Sequence, residues 1–497
     1  MFMKFKELIA LCLVVTAFLS GIIALILSLV NSQNIGQASP QKYGMVFDAG
    51  SSHTTLYLYQ WPANKENDTG IVSQIHVCNV QGPGISSYAD NPPQAGETLK
   101  PCMDEALSVI PPMRQREATV LLGATAGMRI LRIQNATKTQ LIFDEITKTL
   151  IQYPVNFLGA RILTGSEEGS LGWITVNYLL GTFIGYSFLG NWIHPTGGQM
   201  YGAMDLGGAS TQMTFQPAGS ITDKDTEMFF RLYGFNYTIY THSYLCYGQD
   251  QFFKRLLANL LQGWTSGTVK HPCYAKNYTT TISLSSVFNS PCVGSGPSDL
   301  MVNVTVEGTG DPAECRRIVR NIFNFSACAN RVDCTFDGVY QPTVQGEFYA
   351  FSAFYYTFGF LNLTNGQSLS EANGTVWSFC SSDWSQVTVN KPLRCNTKMC
   401  LYSTYTSIVY PVGWMVLHST YENLYYNEIY LSLKVGNMDV GWTLGYMLNL
   451  TNMIPSESPT LLRATYFNLW AAAIFFIVLS IATTLVAIPL MCPCRNT

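Results

Sequence analysis

Two aspartates stand at the mouths of matching small-residue turns. The first opens Asp48-Ala49-Gly50-Ser51-Ser52-His53-Thr54-Thr55, after an apolar run from Met45 and before Leu56-Tyr57-Leu58-Tyr59. The second opens Asp205-Leu206-Gly207-Gly208-Ala209-Ser210-Thr211-Gln212, after Gly202-Ala203-Met204 and before Met213-Thr214-Phe215. A glycine and small hydroxyl residues after an aspartate make a tight turn with exposed backbone N–H groups, a cradle that most often takes phosphate. The aspartate could hold a divalent cation through water, and Ca²⁺ or Mg²⁺ fits because both prefer oxygen ligands beside a phosphate. One copy alone reads equally as an aspartate capping a turn. Two copies, far apart in sequence, point to two related lobes facing a nucleotide.

Hydrolysis of a phosphate also needs a placed water and a group to take its proton. Glu167 and Glu168 stand in Arg161-Ile162-Leu163-Thr164-Gly165-Ser166-Glu167-Glu168-Gly169, read as a glycine-bounded turn before an apolar helix. Glu168 is the candidate base, since Gly169 lets the backbone approach a cleft. The competing reading is a pair of acids stabilising a helix N-terminus. Thr125, Ser210 and Gln212 could hold the water by hydrogen bonds, and each also reads as an ordinary turn or strand residue. His53 either touches phosphate or fills its turn. Tyr356 and Trp442 could stack on a nucleobase or bind near it, though aromatic stripes also build cores.

The elements that must position these groups follow from hydrophobic period and turn chemistry. Each aspartate turn joins two strands. Ile71 to Val80 reads as a strand broken by Gly82-Pro83-Gly84, and Cys102 to Ile110 as a helix closed by Pro111-Pro112. Thr119 to Arg129 reads as a β-branched apolar strand running into a small-residue turn and a helix start, so Thr125 and Gly127 lie where the strand ends, a common place for a ligand in an α/β sheet. Ala136 to Gln152 has helical spacing. An aromatic stripe from Gln345 to Tyr356 leads into a helix, and another helix starts near Trp442.

The 497 residues allow more than one domain, and a net charge of −3 without a basic run gives nucleic-acid binding no electrostatic support. Leu8 to Val30 and Phe467 to Met491 are each long enough to cross a membrane. Lys4, Lys6 and Arg495 lie outside both, so the positive-inside rule puts both termini in the cytoplasm. A cleaved signal peptide and a tail exchanged for a lipid anchor are the rival readings of these two stretches. Of 14 cysteines, those other than Cys12, Cys492 and Cys494 fall between the spans, without zinc spacing, as disulfides in an oxidising compartment. Asn67, Asn135, Asn236, Asn277, Asn303, Asn324, Asn362, Asn373 and Asn449 begin glycosylation sequons in the same region. Ala471-Ala472-Ala473 allows close helix approach and a homo-oligomer through the membrane spans.

Five segments together resemble the apyrase signature regions, in their family order. They are Phe47 to Thr54, Gly123 to Arg129, Thr164 to Gly169, Asp205 to Gln212, and Ala350 to Tyr355. Nearly the whole chain is similar to the cell-surface ecto-nucleoside triphosphate diphosphohydrolases, and Gly441 to Asn449 matches their plasma-membrane branch. The resemblance implies an α/β, two-lobed actin and sugar-kinase-like (ribonuclease-H-like) ectodomain between two transmembrane helices. It implies stepwise removal of terminal phosphate from nucleoside tri- and diphosphates with Ca²⁺ or Mg²⁺, outside the cell. The alternative from another class is a nucleotide-binding receptor or adhesion glycoprotein of the same fold.

By matching position, Glu168 would be the general base, with Thr125, Ser210 and Gln212 on the water. Asp48 and Asp205 would hold the metal's waters, with Trp442 in the same shell. Gly50, Ser51, Ser52, His53, Ala126, Gly127, Gly207, Gly208 and Ala209 would line the phosphate chain, and Tyr356 and Arg394 would sandwich the base. The family pattern pairs Cys78–Cys102, Cys246–Cys292, Cys273–Cys315, Cys328–Cys334 and Cys380–Cys400, leaving Cys395 as a departure. Ser166 stands where relatives often carry glutamine. The implied layout is a cytoplasmic tail (1–7), a span (8–30), a polar linker (31–41), lobe I (42–164 and 433–462), lobe II (165–432), a span (467–491) and a tail (492–497).

Overall fold

The computed structural model describes residues 5–30, 33–36, 40–195, 198–329, 331–364, 369–390, 429–457, 461–464 and 467–491. These form two compact units, Gln41–Ser456 and the two chain ends together. The terminal unit pairs the helices Phe5–Val30 and Phe467–Met491. Ala10, Ser20, Ala24, Ala473 and Ala487 are buried between them, while Phe18, Leu25, Phe475 and Leu485 face outward. Small residues let two backbones approach, and the Ser480 hydroxyl donates to the Ala17 carbonyl at 2.9 Å. Ala473 thus packs within its own chain. The polar linker holds a short strand, Gln33–Gly36, antiparallel to Leu461–Ala464.

The larger unit contains two sheets built alike. One has the strand order Ser73–Asn79, Thr54–Pro62, Gln41–Ala49, Thr119–Ala124, Asn156–Ile162. The first three are antiparallel, and the last two run parallel to Gln41–Ala49. The other has the order Glu227–Leu232, Phe235–Leu245, Ser210–Phe215, Gly202–Leu206, Phe348–Ser352, Ile429–Leu431. It repeats the pattern, antiparallel through the Asp205 hairpin and then parallel. In each sheet the hairpin carries the aspartate, and the neighbouring parallel strand runs into a helix, Ala126–Gln134 or Ala353–Phe360.

Two helices, Gly165–Leu179 and Trp442–Thr451, share one core with both sheets. Val46, Tyr59, Trp173, Ala203, Ile239, Phe351, Trp442 and Leu448 belong to it. Both helices are apolar nearly all round, as a helix covered on every side must be. Glycines let them approach their neighbours: a methyl group at 445 would lie 2.8 Å from the Leu171 carbonyl carbon, and one at 169 would lie 2.7 Å from the Thr241 hydroxyl.

Disulfides join Cys78–Cys102, Cys246–Cys292, Cys273–Cys315 and Cys328–Cys334. Cys380 is buried, and both Cys395 and Cys400 lie outside the described residues. All the sequon asparagines are exposed except Asn449. That residue is half-buried on the Trp442–Thr451 helix, and the Thr451 of its sequon is fully buried and bonded to the Gly70 N–H.

Candidate functional site

Asp48 lies near the end of its strand, opposite Thr55 and beside Gly123. Asp205 holds the corresponding place, opposite Gln212 and beside Phe351. The two turns meet. A methyl group on Gly208 would strike the Ser51 hydroxyl and lie 2.6 Å from the Asp250 carboxylate, and one on Gly127 would lie 2.8 Å from the Ser51 Cα. Close approach, rather than unusual dihedrals, is what requires glycine at both places. The Gly207 N–H closes its turn on the Ser210 carbonyl at 3.0 Å, and the Thr125 N–H bonds the Ala49 carbonyl at 3.1 Å. Thr125 and Ala126 are buried at the start of the Ala126–Gln134 helix, and Ala209 is buried as well. Ser52 and His53 are exposed, with the Ser52 hydroxyl 2.9 Å from the His53 Nδ1.

The glutamate pair is not in a turn before the helix but in the first turn of Gly165–Leu179 itself. Thr164 and Glu167 form a capping box: the Glu167 N–H reaches the Thr164 hydroxyl at 3.1 Å and the Thr164 N–H reaches the Glu167 carboxylate at 2.8 Å. Glu167 also pairs with Arg161 at 2.9 Å. The helix-opening role therefore falls to Glu167. Glu168, one residue round the helix, turns inward and is 6% exposed. Its Oε2 accepts from Gln212 Nε2 at 3.1 Å and from Arg129 Nη2. Gln212 Nε2 lies 2.6 Å from the Ser210 hydroxyl and 2.9 Å from the Ser243 hydroxyl. Arg129 also reaches Ser210 and Ser243, each at 3.2 Å.

Burial pushes Glu168 up to about 8, and Arg129 opposes this, while Asp205 and Asp48 add to it. Asp48 is raised to about 7 by burial, opposed by the Trp442 indole and reinforced by Asp205. Burial raises Asp205 to about 6, opposed by the Ser352 hydroxyl and by Arg129. Three enclosed acids that repel one another form a site that favours a cation. Asp48 Oδ1 is buried without a hydrogen-bond partner, and the buried Trp442 N–H beside that carboxylate makes no bond of ordinary geometry. Among the described residues no three His, Cys, Asp or Glu side chains form a metal-holding group. The carboxylate oxygens of Asp48 and Asp205, with Asp48 Oδ1 unpartnered, are donors of the kind a hard cation takes directly or through water.

The structure brings Asp48, Thr125, Glu168, Asp205, Ser210, Gln212 and Trp442 around the two turns. Tyr356 sits on the Ala353–Phe360 helix, 56% exposed, and Arg394 lies outside the described residues. Sequence reasoning assigned no role to Arg129 or Ser243. Arg129 had a signal: it follows Thr125 by four residues, so it lies on the same helix face at the strand end. Ser243 had none, because it sits in the strand Phe235–Leu245 and reaches Gln212 only through sheet pairing. Ser352 was also missed. It caps the Ala353–Phe360 helix at φ 57°, a strained conformation for a residue with a side chain.

A cavity of about 520 Å³ opens beside the turns, lined by Ser51, Gly127, Ala209, Asp250 and Lys254 among others.

The profile of the GDA1/CD39 (nucleoside phosphatase) family matches residues 34–462. The chain is 51% identical to ectonucleoside triphosphate diphosphohydrolase 8 of Gallus gallus, covering 99% of both chains. It is 49% identical to the protein of that name from Bos taurus, covering 98% of both, and 42% identical to ectonucleoside triphosphate diphosphohydrolase 2 of Mus musculus, covering 94% of both. Among solved structures, nucleoside triphosphate hydrolase from Neospora caninum shares the fold, with a TM-score of 0.59 at 13% identity over 86% of this chain and 94% of that one.

Proposed function

The chain belongs to the GDA1/CD39 (nucleoside phosphatase) family, and from that premise we propose that it hydrolyses extracellular nucleoside 5′-tri- and diphosphates, such as ATP, ADP, UTP and UDP, to the monophosphate and inorganic phosphate. The observation that carries this reading is the enclosed Glu168 carboxylate, bonded to Gln212 beside Ser210 where two phosphate-type turns meet. Glu168 takes the proton of a water that Thr125, Ser210 and Gln212 hold. The water oxygen bonds to the terminal phosphorus, the bond to the bridging oxygen breaks, and the shortened nucleotide leaves.

Gly50, Ser51, Ser52, His53, Ala126, Gly127, Gly207, Gly208 and Ala209 line the phosphate chain. Asp48 and Asp205 would hold Ca²⁺ or Mg²⁺ through water, with the Trp442 indole beside Asp48, and the cation would supply charge neutralisation to the phosphate chain. Tyr356, exposed on its helix, would stack on the nucleobase, and Arg394, outside the described residues, is the partner that the family resemblance gives it. The two apolar terminal helices, each with mean hydropathy above 2.5, fit a chain anchored twice in the plasma membrane. Both termini would lie inside, with lobe I (42–164 and 433–462) and lobe II (165–432) outside, glycosylated at the exposed sequons.

Glu168→Gln keeps the side chain's size and removes the base. It should lower turnover of ATP by roughly 10²–10⁴-fold while nucleotide still binds. Near-normal phosphate release by that variant would sink the mechanism, and no release of phosphate from ATP or ADP by the wild-type protein on intact cells would favour the receptor reading.

A further inference from the structure

The helix that carries Glu168 also holds the helix that carries Trp442, through one hydroxyl. Thr175 lies two turns beyond Glu168 on Gly165–Leu179 and is fully buried. Its Oγ1 donates to the Gly441 carbonyl at 2.5 Å and accepts from the Gly445 N–H at 2.8 Å. Gly441 is the N-cap of Trp442–Thr451 and supplies no side-chain cap of its own. Gly441 and Gly445 are four residues apart, the spacing at which an α-helix pairs carbonyl with N–H. The threonine of one helix therefore engages both ends of the other helix's opening hydrogen-bond position. Packing leaves no slack around this link, because Gly445 lies against the Leu171 backbone. The residue between the two contacts and the site is Trp442, which is buried against Gly123, where a methyl group would lie 3.0 Å from the indole Cζ2. The next residue, Thr443, is fastened to the strand Thr54–Pro62 by the Tyr59 hydroxyl at 2.8 Å.

We propose that Thr175 is a positioning residue of this site: its hydroxyl fixes where the Trp442 indole stands between Asp48 and the Glu168 helix. The inference rests on the hydrolase reading above and extends it to a residue outside the five signature segments. It touches neither substrate nor cation and acts through the backbone of residues 441–445. The structure assigns the hydroxyl, not the bulk of the side chain, to this task.

The test compares Thr175→Val, which keeps the shape and removes the hydroxyl, with Thr175→Ser, which keeps the hydroxyl. Both are made in the full-length protein in detergent. Amide hydrogen exchange should quicken over residues 442–446 in the valine variant and return toward wild type in the serine variant. The Mg²⁺ or Ca²⁺ concentration giving half-maximal ATP hydrolysis should rise roughly tenfold in the valine variant, as for other groups that orient a metal's ligands, and recover with serine. Unchanged exchange in a folded valine variant overturns the proposal. So does quickened exchange with unchanged metal dependence, or a serine variant as impaired as the valine one. A wild-type protein that releases no phosphate strikes the hydrolase reading instead, while the exchange measurement still decides whether Thr175 holds the helix.

Discussion

Arg129 sets the charge balance of the site. It bonds Glu168 and reaches Ser210 and Ser243, so it both orients the carboxylate and opposes the burial that would keep it protonated. A general base must be ionised to accept a proton, so the acid limb of kcat/KM reports this balance. Arg129→Met removes the positive charge, which lets the Glu168 pKa rise further. The acid limb should move to higher pH, with lower activity at neutral pH that partly recovers in alkali. An acid limb unmoved by that substitution would show that Arg129 does not set the ionisation of Glu168. The adjacent glutamates show how one residue step separates tasks. Glu167 closes a capping box and pairs with Arg161 at the surface, while Glu168 points into the core.

At the scale of elements, the two central helices pack their side chains into one core and meet their neighbours tightly at glycines. Gly445 lies against Leu171, and Gly165 against Ser243. Gly445→Ala would raise helix propensity, yet its methyl group has no space beside the Leu171 backbone. Overpacking of this kind costs about 1–3 kcal/mol, more than the propensity gain of about 1 kcal/mol. The variant should melt at lower temperature and lose hydrolysis with it, and a variant more stable than wild type would show that the helices separate freely. A similar constraint governs the turns. Gly208 faces Ser51 of the other hairpin and the Asp250 carboxylate, so a side chain there would displace both.

For the whole molecule, the enclosed acids link stability to pH and to metal. Their ordinary values are 3.8 for aspartate and 4.5 for glutamate, and the fold raises Asp205 to about 6, Asp48 to about 7 and Glu168 to about 8. A carboxyl raised on folding favours the folded state fully below its unfolded value, and that contribution is lost as pH climbs through the folded one. Without a divalent cation the unit Gln41–Ser456 should therefore lose stability between about pH 4 and pH 8 from these groups. A cation held by the ionised carboxylates would offset the loss. The rise in melting temperature on adding Mg²⁺ or Ca²⁺ should be larger at about pH 8 than at about pH 5. An equal or larger rise at the acid end would place the metal elsewhere.

Much of this protein is legible without coordinates, because its strongest signals are local. A hairpin that must bring backbone N–H groups to an anion needs its glycines and small hydroxyl residues in consecutive order, so both aspartate turns stand plainly in the chain. Membrane helices need a long unbroken apolar run, and that too is local. The short strand in the linker and the buried position of Asn449 were not legible, since each depends on what lies across from it, whereas the helix-opening role of Glu167 is local and matches the competing reading of the glutamate pair. Tertiary structure alone decided that Arg129 and Ser243 join Glu168, and that Thr175 ties two helices separated by hundreds of residues. The physical reason is that a buried polar group must find a partner wherever the fold supplies one, and residue spacing along the chain carries no record of which segment that will be.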